Sequence, residues 1–106
     1  EEEQYKRYPD FFNLIEKEEQ DVCYPNGESG TDVLNRVLPF FKTLIKNDYK
    51  NVLIVSHGGT IRILLSYLQN IPVYKRFSID IDNCSISKVV YEKNKFTVEY
   101  VNKIYY

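Results

Sequence analysis

His57, the only histidine of the chain, follows the most apolar run of the sequence and precedes two glycines. Residues 51–62 read Asn-Val-Leu-Ile-Val-Ser-His-Gly-Gly-Thr-Ile-Arg, which predicts a buried strand, a titratable side chain, a glycine turn and an amphipathic helix. An imidazole placed there lies beside free backbone N–H groups at the positive end of a helix, where anions bind. It could donate a proton or stabilise a phosphoryl oxygen. The alternative is a core histidine bonded to backbone.

Gly58 and Gly59 let the backbone approach a bound group closely. Their N–H groups could point at phosphate oxygens and stabilise the charge that develops there, although a plain tight turn is the alternative. Neither a Walker P-loop nor a dinucleotide fingerprint is present, because the Gly-Lys-Ser/Thr run and the third glycine are missing. Arg62 could bind a phosphate bidentately or pair with an acidic neighbour, and we favour the pairing.

The elements that position these residues follow from hydrophobic periodicity. An interrupted helical pattern runs from Glu2 to about Glu19, and residues 21–30 form a loop. Apolar residues at helical spacing from Val33 to Ile45 predict a helix that ends at Asn47-Asp48. Ser29 or Thr31 can cap it, and Pro39 should kink it or break one of its hydrogen bonds. Residues 52–56 predict a strand buried on both faces, since they are continuously apolar. A helix from about Thr60 to Gln69 follows, and Asn70 and Pro72 stop it.

The last quarter of the chain changes character. Residues 79–91 and 96–102 are rich in β-branched and aromatic side chains, and Lys93-Asn94 between them fits a tight hairpin turn. The predicted fold class is therefore α/β, with helices packed on a mixed, mainly parallel sheet and a C-terminal strand pair. We expect residues 1–106 to form a single domain.

Composition excludes several classes of function. A net charge of −1 and scattered basic residues give no footprint for nucleic acid. Cys23 and Cys84 fit no metal-ligand spacing, and with one histidine a structural zinc site is not expected. The sequence shows neither a signal peptide nor a membrane-length apolar run, so we expect a cytoplasmic protein with reduced thiols and no membrane partner.

Taken together, the Ser-His-Gly-Gly-Thr-Ile-Arg run and the upstream Gly-Glu-Ser run (residues 27–29) resemble the second half of the histidine phosphatase superfamily, the phosphoglycerate-mutase-like group. The likeness extends from about Tyr8 to the C-terminus. It implies a partial phosphoglycerate-mutase-like fold in which His57 contacts the transferred phosphoryl group, with no metal or cofactor. It also places Glu28 and Ser29 near the rim of the site, where we expect them and Arg36 to have structural roles.

The sequence departs from the family pattern because it lacks the Arg-His-Gly motif whose histidine is the family's nucleophile. The resemblance implies that the family's second phosphate-binding arginine and its acidic proton donor also lie upstream of these residues. The resemblance therefore implies the C-terminal portion of a phosphate monoester hydrolase that uses a phosphohistidine intermediate. The compact segment after Gly-Glu-Ser favours a phosphatase over a phosphoglycerate mutase. A non-catalytic phosphate-binding fragment is the other alternative. The missing first strand would leave a sheet edge exposed, so we expect a homodimer, a strand swap or a complementing chain.

Overall fold

The computed structural model describes residues 17, 19–47 and 49–105. In chain order they form helix α1 (Gly30–Lys46), helix α2 (Gly58–Leu68), a 3₁₀ helix (Val73–Ser78) and strands β1 (Ile86–Glu92) and β2 (Lys95–Lys103). Helix α2 is central, because it contacts α1, the 3₁₀ helix and β2. The α/β class is confirmed. The helical pattern predicted between Glu2 and Glu19 lies almost entirely outside the described residues.

Ser29, one of the two predicted capping residues, is the N-cap of helix α1. The Ser29 side chain accepts a hydrogen bond from the Asp32 amide (3.1 Å), and the Asp32 carboxylate accepts one from the Ser29 amide (3.0 Å). This reciprocal capping box satisfies donors that would otherwise be unpaired at the start of the helix. Pro39 lies inside α1 and does not divide it into two helices, and Asn47 is the C-cap. The predicted end at Asn47 is confirmed, and Asp48 is outside the described residues.

Helix α2 begins two residues earlier than predicted, so Gly58 and Gly59 belong to its first turn rather than to a preceding loop. Its end is confirmed at Asn70, which has a left-handed φ of 58°. The Ile71 amide donates to the Ser66 carbonyl (2.9 Å) and the Asn70 amide to the Tyr67 carbonyl (3.3 Å). These two bonds form a Schellman motif, and Pro72 then prevents the helix from continuing.

The strand predicted over residues 52–56 is not formed. No backbone hydrogen bond joins the segment to another described residue, and among the described residues the only sheet is the antiparallel pair β1–β2. Leu53 and Val55 are 82% and 88% exposed, so the expectation of burial on both faces is wrong for this structure. The physical reason is that a strand needs a hydrogen-bonding neighbour, and no described segment supplies one. The parallel pairing expected for the sheet is therefore not seen in the part of the chain that the structure describes.

The C-terminal strand pair is confirmed, with the turn at Lys93-Asn94, but β1 starts at Ile86 rather than at Ile79. The earlier residues form a loop that Asn102 holds: its side chain accepts from the Asp82 amide (2.7 Å) and donates to the Asp82 carboxylate (3.0 Å). The ring of Phe96 on β2 packs against Phe41 of α1, with centroids 5.5 Å apart. Buried apolar side chains among the described residues are Ile63 and Leu65 of α2 and Ile79.

Candidate anion-binding site

Amides at the N-terminus of α2 have no hydrogen-bond partner among the residues that the structure describes. His57 is its N-cap residue, and the His57 side chain makes no capping hydrogen bond. The first bond of the helix runs from the Ile61 amide to the His57 carbonyl (2.9 Å), so the amides of Gly58, Gly59 and Thr60 have no partner inside the helix. No acidic residue lies in the first turn. These three donors and the positive end of the helix dipole are therefore available to an anion.

The N-terminus of α1 provides an internal contrast. Asp21 accepts hydrogen bonds from the amides of Gly30 (2.9 Å) and Thr31 (2.7 Å), and Asp32 completes the capping box. Burial of the Asp21 carboxyl opposes ionisation, but hydrogen bonds from Thr31 and Gly30 and the charge of Arg76 outweigh it and lower the pKa of Asp21. Two carboxylates thus lie at the N-terminal end of α1, whereas the corresponding end of α2 is open.

His57 is exposed, so it is not a core histidine in this structure. A Cβ added at Gly59 would meet no atom within 4 Å, whereas one added at Gly58 would lie 3.3 Å from a guanidinium nitrogen of Arg62. Gly59 therefore borders open space and Gly58 lies against the Arg62 side chain. The first turn of α2 is accessible from the side of His57 and Gly59.

A cleft of about 300 Å³ brings the two sequence motifs together. Glu28, Ser29 and Gly30 line one side of it, and Gly59, Thr60 and Arg62 line the other. Tyr24 and Phe77 are also among its walls. Gly59 and Thr60 carry two of the three unpaired amides, so the cleft adjoins the proposed anion position. A larger depression of about 470 Å³ near Ile79 and Asn102 contains none of the residues singled out in the sequence.

The arginines of the two motifs have different partners. Arg36 forms a two-bond ion pair with Glu28, at 3.2 and 3.0 Å, as the structural interpretation expected. Arg62 donates from Nε to the Ile79 carbonyl at 2.8 Å. The acidic partner expected for Arg62 is not found among the described residues. The side chain instead ties the loop after the 3₁₀ helix to the first turn of α2.

Sequence reasoning missed Asp21 and Arg76. Arg76 is only 5% exposed, lies 3.7 Å from the Asp21 carboxylate and stacks on the Phe77 ring at 4.6 Å. Its guanidinium also donates to the Val73 carbonyl at 2.9 Å. Nothing in the local pattern marks either residue, because Asp21 acts on a helix that begins nine positions later and Arg76 follows Lys75 without forming a recognisable motif. Arg76 also lines the cleft that holds Gly59 and Thr60, whereas Asp21 is not among the lining residues.

Two further properties concern the described residues as a whole. They contain no group of three or more histidine, cysteine, aspartate or glutamate side chains placed to hold a metal ion. None of their helices has the length and apolar character that crossing a bilayer requires.

Comparison with known proteins identifies the family. The family described as "Histidine phosphatase superfamily (branch 1)" matches residues 1–104. The chain is 35% identical over 91 residues to a 2,3-bisphosphoglycerate-dependent phosphoglycerate mutase of Buchnera aphidicola subsp. Cinara cedri, covering 81% of this chain and 38% of that protein. It is 29% identical over 102 residues to Phosphoserine phosphatase 1 of Hydrogenobacter thermophilus, covering 95% and 48% respectively. It is 34% identical over 71 residues to Fructose-2,6-bisphosphatase of Saccharomyces cerevisiae, covering 67% and 15%.

The chain thus spans less than half the length of each of these three relatives. The match nevertheless covers nearly all of its own residues, including both motifs that line the cleft. The chain belongs to the histidine phosphatase superfamily.

Proposed function

We propose that this chain supplies the second histidine and the phosphate-binding turn of a phosphate monoester hydrolase. The observation that carries the proposal is the unpaired N-terminus of α2, which follows the exposed His57 and borders the cleft that holds the Gly-Glu-Ser motif. Membership of the superfamily supports phosphoryl chemistry at this position. The occupant we infer is the phosphoryl group of the substrate, bound by Gly58 and Gly59.

In the proposed reaction a histidine from outside these residues attacks the phosphorus atom. A nitrogen–phosphorus bond forms while the phosphorus–oxygen ester bond breaks, and the departing oxygen takes a proton. Water then attacks the phosphohistidine, which releases inorganic phosphate and restores the nucleophile. His57 and the amides of Gly58 and Gly59 stabilise the non-bridging oxygens in both steps, because preorganised donors in place before the reaction need no reorganisation. The scheme needs no cofactor and no metal.

A second candidate is a non-catalytic fragment that binds phosphorylated ligands or pairs with another chain. The exposure of the apolar residues 52–55 favours it, since this surface is available to a partner. The phosphatase proposal is preferred because the relatives that match this chain include proteins named as phosphatases. A mutase is the other enzymatic candidate, and the Buchnera relative supports it.

Phosphate binding tests the site directly. Titrating the isotopically labelled chain with inorganic phosphate while recording amide NMR spectra should shift the resonances of His57, Gly58, Gly59 and Thr60. The amide of Thr31 serves as an internal control, because Asp21 already accepts its hydrogen bond and Thr31 does not line the cleft. Equal shifts at the two helix N-termini, or none at α2, would contradict the proposal.

A matched pair of variants tests whether phosphate affinity depends on charge at the α2 turn or on the net charge of the chain. Gly59→Asp places a carboxylate in the first turn of α2, where it should compete with phosphate and weaken binding about tenfold. Asn94→Asp makes the same change in net charge at the hairpin turn, where its side chain still accepts from Tyr91. Asn94→Asp should leave the phosphate affinity unchanged. If both variants weaken binding equally, general electrostatics rather than the α2 turn is responsible.

A further inference from the structure

The cleft that adjoins the α2 N-terminus has apolar and aromatic walls. Its apolar lining residues are Tyr24, Val33, Ile63 and Phe77. Tyr24 and Phe77 are 44% and 42% exposed, so both rings keep apolar surface that the described residues do not cover. Ligand pockets combine walls of this kind with a few polar groups and have volumes from about 300 to about 1,000 Å³. At about 300 Å³, this cleft has the lining and the size of a site for a small group.

Both aromatic walls are held by contacts inside the chain. The Tyr24 amide donates to the Glu28 carbonyl (3.2 Å) and the Gly27 amide to the Tyr24 carbonyl (2.9 Å), which closes a tight turn beside the Gly-Glu-Ser motif. Phe77 belongs to the 3₁₀ helix, and its ring packs on the buried guanidinium of Arg76 at 4.6 Å. A ligand that binds between these walls therefore has few protein groups left to order.

The charges of the cleft are almost fully compensated inside the protein. Its charged lining residues are Glu28, Arg62 and Arg76. Glu28 pairs with Arg36, and Arg76 pairs with Asp21. Arg62 has no acidic partner among the described residues, but its guanidinium lies against the first turn of α2, where its charge adds to that of the helix dipole. The uncompensated charge is thus next to the anion position, and none is left for a second charged group.

We propose that this cleft takes the leaving group of the phosphate monoester and selects an uncharged aromatic one. The inference rests on the proposed function, because it requires the phosphoryl group at the α2 N-terminus. The bond that breaks joins the phosphoryl group to the leaving group, so the two occupy neighbouring positions. Gly59 and Thr60 belong to both positions, since they carry unpaired amides and line the cleft.

The preference for an uncharged ring follows from what each kind of group gains. A carboxylate or an ammonium group in the cleft loses its hydration and finds each opposite charge already engaged. An aromatic ring covers the exposed apolar surface of Tyr24 and Phe77, and it adds ring–ring contacts that an aliphatic group cannot make.

Three phosphate monoesters that share a CH₂ group and differ in its substituent test this selection. Methyl phosphate carries hydrogen there, benzyl phosphate a phenyl ring and phosphoglycolate a carboxylate. Each is titrated into the isotopically labelled chain, and the amide NMR shifts of Gly59 and Thr60 give the dissociation constants. Benzyl phosphate should bind about tenfold more tightly than methyl phosphate, because its ring buries apolar surface. Phosphoglycolate should bind no more tightly than methyl phosphate.

Variants of the aromatic walls locate the ring. Phe77→Ala and Tyr24→Ala should each reduce the tenfold preference for benzyl over methyl phosphate to about twofold. The two walls belong to different elements, so the test remains decisive if one variant does not fold. Phe40→Ala is the matched control, because Phe40 is an exposed ring of α1 that does not line the cleft. It should keep the full preference.

The outcomes separate this inference from the proposed function. If inorganic phosphate and methyl phosphate shift the α2 amides but benzyl phosphate binds no more tightly, the selection is refuted and the proposed function stands. Phosphoglycolate binding as tightly as benzyl phosphate would also overturn the selection. A preference that survives both Phe77→Ala and Tyr24→Ala would place the ring outside the cleft. If none of the phosphate compounds shifts the α2 amides, the proposed function itself fails, and the assignment of the cleft fails with it.

Discussion

Asp21 joins three groups at the start of α1: the amides of Gly30 and Thr31 and the guanidinium of Arg76. Replacing it with asparagine removes the charge while keeping the shape. We expect Asp21→Asn to lower the free energy of unfolding by about 1–2 kcal/mol at neutral pH, because charge-assisted hydrogen bonds weaken and buried Arg76 loses its counter-ion. Urea denaturation of the two proteins measures the difference.

The pH dependence of that difference follows from the lowered pKa of Asp21. A carboxyl whose pKa is lower in the folded state contributes its full stability above the ordinary value of 3.8. The contribution is lost as the pH falls from there through the folded-state pKa. The difference in free energy of unfolding between the wild type and Asp21→Asn should therefore become smaller at acidic pH. A stability difference that stays constant down to about pH 2 would show that the charge of Asp21 does not cause it.

Gly30 and Gly59 form a matched pair of helix N-terminal glycines with opposite surroundings. A Cβ at Gly30 would overlap the Val73 side chain and lie 2.7 Å from the Arg76 guanidinium and 3.0 Å from the Asp21 carboxylate. Gly30→Ala should therefore destabilise the chain by about 1–3 kcal/mol. Gly59→Ala meets nothing within 4 Å and should be neutral or stabilising by up to about 1 kcal/mol. Thermal unfolding of both variants checks the contrast, and equal losses would contradict it.

At the scale of elements, the turn between β1 and β2 places two non-glycine residues at positive φ. Lys93 has a φ of 52° and Asn94 a φ of 61°. Positive φ at both central residues is typical of the type I′ turn, whose twist matches that of the flanking strands. Asparagine tolerates these angles better than lysine does. Lys93→Asn should stabilise the hairpin by roughly 0.5–1 kcal/mol. Lys95→Asn, in the strand itself, is the control and should be neutral or destabilising.

Amide exchange in the hairpin measures this effect without relying on global unfolding. Slower exchange at Val90 and Phe96 in Lys93→Asn would agree with the expectation. Unchanged exchange would mean that the positive φ of Lys93 does not destabilise the hairpin.

Local signals explain which elements could be predicted. The capping role of Ser29, the stop at Asn70 and the turn at Lys93-Asn94 depend on neighbours a few residues away, so the sequence carries them. The state of residues 52–56 depends on a partner strand, which no local pattern specifies. The same limit applies to Asp21 and Arg76, whose meeting requires the loop before α1 and the 3₁₀ helix to pack together.

Some features of the candidate site could likewise be predicted from the sequence, and others depend on packing. The placement of His57 and the glycines at a helix N-terminus follows from the order of strand, glycine pair and amphipathic helix. The Gly-Glu-Ser motif lines the same cleft as Gly59 and Thr60 because α1 packs against α2, and this packing is not visible in the sequence. The family resemblance indicated that the motifs belong together, but only the three-dimensional structure shows their common cleft.

At the scale of the whole molecule, the proposed reaction needs two histidines and the sequence contains one. His57 is assigned to stabilise the phosphoryl group, and precise positioning does not replace a missing nucleophile. We therefore expect the 106-residue chain on its own to release no phosphate from a generic ester such as p-nitrophenyl phosphate. A colorimetric assay at high protein concentration, with His57→Ala as the matched variant, measures this. Turnover that His57→Ala abolishes would mean that His57 is itself the nucleophile or the base that activates water, and the assignment of roles would have to be reversed.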